Sequence, residues 1–406
     1  MKIAIAGFGL EGRANYEYWN TPENDLTIAD EREGIDVPNG AKTLLGAGAF
    51  EKLRDFDMVI RTAGLSPHKI KTDGKIWSAT NEFFAKCPAT IIGVTGTKGK
   101  GTTCSLIVSL LKAAGKTVHL VGNIGTPALE VLPKIQPDDI VVYEMSSFQL
   151  WDIGKSPHVA VVLMIEADHL DVHTDMEEYI GAKANIAVHQ APSDIVIFNK
   201  NNEYSRYIAE QSRGEKIEYP FAIDEFVSSL KIPGVHNQEN ASAAIAAARE
   251  FGVGDDEIRE GLASFQGLPH RLELVRTLEG VAYYDDSFSS ATPAVKVAIK
   301  SFTQPIILIA GGFDRGLDYA ELGAAINATG NIKKVLLIGQ TKEAISRYLK
   351  EGTCELFDTL DAATERAHDI AESGDVVLLS PGCASFDMFK NFTDRGDQFR
   401  EVVNAL

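Results

Sequence analysis

The sequence predicts an α/β protein of several domains, each a mostly parallel sheet with helices packed on it. Short apolar, β-branched runs such as KIAIA, TIIGVT and IILIAG alternate with longer stretches of helical character. Two of these runs turn through glycines straight into a helix start, at GFGLEG near the N-terminus and at GTKGKG near residue 100. The chain has 406 residues, long enough for two or three separate cores.

The composition, 45% hydrophobic and 24% charged, is that of an ordinary globular protein. A net charge of −18 argues against a broad nucleic-acid surface, so an anionic ligand must be held by local cations and helix N-termini. Cys87, Cys104, Cys354 and Cys383 form no CxxC pair and no zinc spacing with histidine, and are expected as reduced thiols of a cytoplasmic protein. The opening MKIAIAGFGLEG is too short an apolar run for a signal peptide. No stretch approaches the roughly 18 apolar residues of a membrane span, so no membrane partner is expected.

The first unit begins with the strand KIAIAG and places Gly7, Gly9 and Gly12 in G-x-G-x-x-G register. A second strand, DLTIAD, ends on Asp30, near the position at which a dinucleotide fold keeps its ribose-binding acid. On this segment alone a dehydrogenase is favoured. The physics is broader, because a glycine turn at a helix N-terminus takes any pyrophosphate and UDP satisfies the same groups. A Rossmann-like domain that binds no nucleotide is the plain alternative. A third strand, DMVIR, ends at Thr62, Ala63 and Gly64, and the domain is expected to close near Pro88.

The central unit opens at residues 89–115, a buried strand, a turn through Gly96, Gly99 and Gly101, and a helix with Leu106, Leu110 and Ala113 at helical spacing. Gly115 is its expected C-cap. Strand, glycine turn and helix N-terminus make a phosphate cradle, with Lys100 within reach of a nucleotide's outer phosphates. It is not a stock loop: Val94 replaces the usual first glycine, and Gly101 stands where a Ser or Thr hydroxyl holds Mg²⁺, with Thr102 one step late. Ligands of open sheets bind at strand carboxyl ends. Those ends are expected at Asn123, at Glu144 with Ser146, Ser147 and Gln149 behind it, and near Asp168 and His169. Two carboxylates and an imidazole beside the loop suggest a Mg²⁺ site. In MEEYIGAKANIAVHQ, a helix with Ala182, Ile186 and Val188 partly buried, spacing alone leaves Lys183 on a solvated face. Asn237 and Asn240 open an alanine-rich helix ended by Gly252, where amides suit either adenine or capping.

A hinge is expected around Gly267, Leu268 and Pro269. The strands VAYYDDS, PIILIAGG, KVLLIG and DVVLLSPG follow, with Asp286 and Ser287, Asp314 and Arg315, and the polar stretch 380–385 at their ends. Residues 382–385 are expected to lead into a helix FDMFKNF, a further N-terminus for a carboxylate.

Together GVTGTKGKGTT, GNIGTPAL, EMSSFQL, ADHLDVH, HNQENASAA, GLPHRLE, GGFDRGLD and SPGCASFDMFKNF resemble the Mur ligase family, and its D-glutamate-adding branch, over the whole chain. The resemblance implies a Rossmann-like UDP-binding domain (1–88), a central P-loop ATPase-type α/β domain (89–267) and a Rossmann-like C-terminal domain (268–406) that binds D-glutamate and closes on ATP. It implies an ADP-forming ligase, monomeric and cytoplasmic, that joins D-glutamate to UDP-N-acetylmuramoyl-L-alanine through an acyl phosphate in peptidoglycan precursor synthesis. ATP and two Mg²⁺ ions are the implied cofactors.

By the same resemblance Lys100, Glu144, His169 and Lys183 are catalytic, with Glu144, His169 and a carbamylated Lys183 holding metal. ATP falls to Gly96, Thr97, Lys98, Gly99, Lys100, Gly101, Thr102 and Thr103, with Asn237, Asn240, Arg271 and Asp286. The UDP substrate falls to Gly9, Leu10, Glu11, Asp30, Glu31, Arg32, Thr62, Gly64, Asn123, Ser147 and Gln149. D-glutamate falls to Ser290, Arg315, Ser385 and Phe392, Arg315 standing where the family more often has lysine. Three residues depart from the pattern. Gly101 lacks the metal hydroxyl, Lys98 replaces asparagine, and Phe288 replaces a lysine expected near the phosphates or the substrate carboxylate. The alternatives are a folylpolyglutamate-synthase-type ligase, a nicotinamide oxidoreductase resting on Gly7, Gly9, Gly12 and Asp30, and a silent binding protein suggested by Gly101 and Phe288.

Overall fold

The computed structural model describes residues 1–316 and 318–406. They form two compact units, Met1–Phe226 with Glu239–Leu262, and Val227–Gln238 with Ala263–Leu406.

The first unit carries two parallel sheets. One contains β1 (Lys2–Ala6), β2 (Asp25–Asp30), β3 (Lys42–Leu45), β4 (Met58–Arg61) and β5 (Lys75–Ser78) in the order β3-β2-β1-β4-β5. The other contains β6 (Thr90–Thr95), β7 (Val118–Gly122), β8 (Ile140–Glu144), β9 (Val159–Val162), β10 (Ile195–Asn199) and β11 (Glu215–Tyr219) in the order β11-β10-β9-β6-β8-β7. Ile3, Ala4, Ile5 and Ala6 of β1, like Val141 to Tyr143 of β8, are buried on both faces, as a sheet covered by helices on either side requires. β6 lies between β9 and β8, so the loops leaving these three strands open side by side where the strand order reverses.

Arg61, at the end of β4, joins the two sheets. Its side chain is fully buried; Nε and Nη2 meet the Asp152 carboxylate at 3.0 and 2.8 Å, and the other bonds run to the carbonyls of Thr62, Ala63, Leu65 and Phe148. Removing one partner of such a buried pair costs about 3–5 kcal/mol, because the other charge is left stranded.

The second unit carries one sheet, with β12 (Glu273–Leu278), β13 (Val281–Asp285), β14 (Ile306–Gly311), β15 (Ile332–Ile338), β16 (Cys354–Leu356) and β17 (Val376–Leu379) in the order β12-β13-β17-β14-β15-β16. Only the edge strand β12 runs antiparallel, to β13. The expected helix over 386–392 is not formed. Phe389 N closes a single turn on Ser385 O at 2.9 Å, and the helix begins at Phe392. The cause is Asn391, whose side chain accepts from Asp394 N at 2.9 Å while the Asp394 carboxylate accepts from Lys390 N at 2.9 Å, a reciprocal cap that fixes the start. Among the described residues no helix is long and apolar enough to cross a membrane.

Candidate active site

The glycine loop after β6 is built as a phosphate cradle. Gly99 takes a left-handed conformation (φ 84°) as N-cap of the helix Lys100–Ala113 and offers no side chain to that helix's first N–H groups. A Cβ on Gly99 would stand 2.5 Å from Asn240 Oδ1, so the position tolerates only glycine on two counts. Thr97 is pinned from below. Its N donates to Met164 O (2.8 Å), and its hydroxyl accepts from Glu166 N (2.9 Å) and lies 3.1 Å from the Tyr179 hydroxyl. Lys100 folds back over the loop and donates to Gly96 O and Thr97 O, both at 3.0 Å.

Lys183 overturns the solvated-face expectation. It is 1% exposed, whereas Val188, expected to be partly buried, is 40% exposed. Lys183 Nζ donates to Gly96 O at 3.0 Å and Thr95 Oγ1 at 3.4 Å, and sits 4.7 Å from the centre of the Tyr179 ring. Burial, and next the charge of Lys100, hold its pKa well below the usual lysine range. Tyr179, one turn earlier on the same helix, therefore braces both Thr97 and Lys183. Its i, i+4 spacing to Lys183 was the available signal.

Glu144 ends β8 opposite Val94, near the start of the loop. It is buried; Oε1 accepts from Asn123 Nδ2 at 3.0 Å, and Oε2 is buried with no partner among the described residues. An unpaired, desolvated carboxylate oxygen is what a divalent cation satisfies, so this donor fits the implied Mg²⁺. The expected convergence of Glu144, Asp168 and His169 is not tight. β9 stops at Val162, leaving Asp168 and His169 on a half-exposed loop with His169 at φ 54° and its ring 4.9 Å from Phe148. Among the described residues, the group of acidic and histidine donors lying mutually within 4.8 Å is instead His270, Glu273 and Asp285.

At the N-terminal sheet, Gly9 caps the helix Leu10–Trp19 without a side-chain bond, and Leu10 beside it is 80% exposed. Asp30 is consumed internally. It accepts from Phe8 N (2.7 Å), Arg32 N (3.0 Å) and the Arg32 guanidinium (2.8 and 2.9 Å), and Arg32 holds its pKa down to about 2. The acid that a dehydrogenase would present to ribose is thus already paired. Glu11, pushed up by burial, accepts from Ala63 N at 2.8 Å. A cavity of about 270 Å³ brings Leu10 and Glu11 together with Asn123 and Gln149, while Asp30, Glu31, Arg32, Thr62, Gly64 and Ser147 lie outside its lining. Gln149 also closes a capping box with Ser146. Ser147, 1% exposed, lies 3.0 Å from Nε2 of His173, a partner sequence reasoning missed.

In the second unit Arg271 sits between two left-handed residues that carry side chains, His270 (φ 60°) and Leu272 (φ 46°). Such conformations cost about 1–3 kcal/mol each and persist only where surroundings enforce them. Here three acids do. Glu273 accepts from His270 N (3.0 Å), Asp285 meets His270 Nδ1 (2.7 Å), and Asp286 accepts from Leu272 N (3.3 Å). Asp286 is buried, takes a 2.7 Å bond from Ser380 Oγ, and is pushed up to about 7 by burial. The Arg271 guanidinium carbon lies 3.6 Å from the centre of the Phe288 ring, and Phe392 meets that ring edge-on at 5.0 Å. Arg395, fully buried and drawn down to about 10 by that burial, donates to Ser287 Oγ and O and to the carbonyls of Cys383 and Ala384. Arg271, Asp286 and Phe392 are thus brought to one place. Ser385 is buried nearby in sequence, Ser290 is half-buried and Arg315 is exposed. Of the two amides, Asn240 lies at the phosphate loop of the first unit, and Asn237 belongs to the second, donating to Pro233 O at 2.7 Å.

Known proteins are similar to this chain in sequence and in fold. Residues 94–225 match the family described as Mur ligase middle domain, and residues 270–383 match Mur ligase, glutamate ligase domain. Over its full length the chain is 36% identical to UDP-N-acetylmuramoylalanine–D-glutamate ligases of Acetivibrio thermocellus and Clostridium tetani, covering 96% and 97% of those proteins. In fold it is similar to the UDP-N-acetylmuramate–alanine ligase of Thermotoga maritima, with a TM-score of 0.63 at 16% identity over 100% of this chain and 99% of that one. It is equally similar to the MurF ligase of the same organism in complex with ADP, with a TM-score of 0.63 at 19% identity over 99% of this chain and 94% of that one.

Proposed function

Because the chain belongs to the Mur ligase family, we propose that it is the ligase that joins D-glutamate to UDP-N-acetylmuramoyl-L-alanine with conversion of ATP to ADP. The observation that carries this is one carbonyl with two lysines. Gly96 O accepts from both Lys100 Nζ and Lys183 Nζ at 3.0 Å. Two amines on a glycine loop at a helix start call for anions, and phosphates are the anions such a loop takes. The full-length relatives narrow the acceptor and the amino acid. The oxidoreductase alternative loses its footing, since Asp30 is spent on Phe8 and Arg32.

A carboxylate does not react with an amine until it is made electrophilic. An oxygen of the alanyl carboxylate attacks the γ-phosphorus, the bond to the ADP oxygen breaks, and an acyl phosphate results. The D-glutamate amine then attacks the acyl carbon, the carbon–oxygen bond to phosphate breaks, and the amine gives up a proton. Lys100 exchanges its loop carbonyls for the outer phosphates, and the Lys100–Ala113 N-terminus takes part of the remaining charge. Lys183, whose pKa burial holds well below the usual lysine range, forms an N–C bond with CO₂ and loses a proton to become a carbamate, turning an amine into an oxygen donor. Glu144 Oε2, His169 and that carbamate would hold Mg²⁺, which would supply charge neutralisation of the transferring phosphoryl group. Gly9, Leu10 and Glu11 take the UDP end, Asn123 and Gln149 the muramoyl side, Arg271 and Asp286 the nucleotide, and Arg315, Ser385 and Phe392 D-glutamate. The division into domains 1–88, 89–267 and 268–406 belongs to the same reading.

The test is ADP release with MgATP and the UDP-linked acceptor, with amino acids supplied one at a time. Release should need D-glutamate. Equal stimulation by L-glutamate or L-alanine refutes the assignment.

A further inference from the structure

The cavity of about 270 Å³ beside the helix Leu10–Trp19 holds one polar side chain with no role so far, Asn15. The other polar side chains in its wall are already paired. Glu11 Oε2 accepts from Ala63 N at 2.8 Å, and Asn123 Nδ2 donates to Glu144 Oε1 at 3.0 Å. Gln149 Oε1 accepts from Ser146 N at 2.9 Å, and the Tyr143 hydroxyl lies 3.3 Å from that of Thr80. Asn15 is fully buried, and neither its Oδ1 nor its Nδ2 has a partner among the described residues. An amide buried with both ends unmet costs folding free energy, which an alanine, like the neighbouring Ala14, would avoid. Asn15 stands one helical turn beyond Glu11 on the same face, about 6 Å further from the helix start proposed for the UDP end. From there the cavity runs to Asn123 and Gln149, on the muramoyl side, past the apolar walls of Ala79, Ala128 and Leu129.

We infer that Asn15 is a specificity residue for the UDP-linked acceptor, its side-chain amide meeting the acetamido group of the aminosugar. The inference rests on the reading of this cavity as part of the acceptor's site. A secondary amide is trans and carries its carbonyl and N–H on opposite edges, so Asn15 takes one of them. Nδ2 donates to the acetamido carbonyl, the methyl lies against the apolar walls, and a water in the remaining space donates to Oδ1. A sugar with a hydroxyl in place of the acetamido group is rejected, because the shorter group leaves Nδ2 unmet. Uracil offers the same carbonyl and N–H, so the ligands tested must separate the two ends of the nucleotide.

The experiment measures, by calorimetry on the full chain, the affinities of wild type and Asn15→Leu for UDP, UDP-glucose, UDP-N-acetylglucosamine and UDP-N-acetylmuramoyl-L-alanine. Leucine keeps the branching of asparagine and removes both polar atoms. Wild type should prefer UDP-N-acetylglucosamine to UDP-glucose by roughly tenfold, the size of one buried hydrogen bond with a methyl contact. Asn15→Leu should abolish that preference, weaken UDP-N-acetylmuramoyl-L-alanine by a similar factor and leave UDP unchanged. Equal affinity of the wild type for the two sugar nucleotides overturns the proposal. So does a variant with undiminished affinity for the muramoyl nucleotide, which leaves Asn15 to a buried water. A loss of equal size on every ligand, UDP included, also overturns it and moves Asn15 to the uracil. If the wild type binds none of these ligands, the reading of the cavity as the acceptor's site is refuted and the inference falls with it. Should Asn15→Leu fail to fold, Asn15→Ala, which removes the amide without adding bulk, should lose the same preference, and keeping it overturns the proposal.

Discussion

Asp286→Asn should make the protein more stable at neutral and alkaline pH, and the gain should vanish in acid. Asp286 is buried beside Asp285 and within the field of Arg395, and burial lifts its pKa from 3.8 to about 7. A raised acid keeps its proton in the folded state at pH values where the unfolded chain has released it. Its contribution is therefore most favourable below the unfolded value of 3.8, declines as pH rises through that window, and is fully adverse above about 7. A shift of this size corresponds to an upper bound of about 4 kcal/mol above pH 7. Asparagine is nearly isosteric; its oxygen still accepts from Leu272 N, and its NH₂ meets the Ser380 hydroxyl, which rotates to accept. Allowing for imperfect geometry, a gain of about 2 kcal/mol is expected at pH 8, or roughly 4–8 °C in Tm for a unit of this size. Calorimetric melts of wild type and variant at half-unit intervals from pH 4 to 8.5 would measure it. A variant less stable at pH 8, or a Tm gap that does not shrink toward pH 4, would show that Asp286 is not the proton-holding group inferred here.

Two further outcomes follow from the phosphate loop. If Lys183 carries the proposed carbamate, Lys183→Ala should cost at least about 100-fold in turnover by removing that oxygen donor, and formate should restore part of it; undiminished ADP release would reduce Lys183 to a packing residue. Gly99→Ala imposes a left-handed alanine at about 1–2 kcal/mol and a Cβ 2.5 Å from Asn240 Oδ1, so KM for MgATP should rise roughly tenfold or more. Adding Asn240→Gly should relieve the contact but not the backbone strain, and complete recovery in that double variant would contradict the φ argument.

What could be read from the sequence was what is encoded locally. A strand, three glycines and a helix start lie within residues 90–102, so the cradle was legible; Glu144 ends its strand as expected because an apolar run stops at a charge. Lys183 was not legible from spacing, since a helix lysine becomes buried only when that helix lies across β6 and offers it Gly96 O. The Arg271–Phe288 stack joins residues far apart in sequence through a strained turn that no periodicity reports. The edge strands β3, β5, β12 and β16 are partly exposed, and so lack the apolar run that revealed the central strands. The helix expected over 386–392 failed for a different reason. The stretch FDMFKNF by itself does not report a cap, and one asparagine side chain moved the start to Phe392.

The two departures that suggested a silent protein, Gly101 and Phe288, have different physical weight. Magnesium keeps several waters in most protein sites, so a missing hydroxyl at Gly101 is replaced by water with the coordination number intact. The orphaned Glu144 Oε2 remains as a fixed donor, and it is more constraining than a hydroxyl because it is buried without a partner among the described residues. At Phe288 an aromatic ring stands where the resembling family has a lysine, and it lies against the Arg271 guanidinium. Neither change strands a buried charge, and neither opens the phosphate loop. A chain drifting toward silence would have no reason to keep a desolvated lysine against Gly96 O and left-handed conformations at His270 and Leu272, both of which cost folding free energy. Their retention is the physical argument for an active ligase.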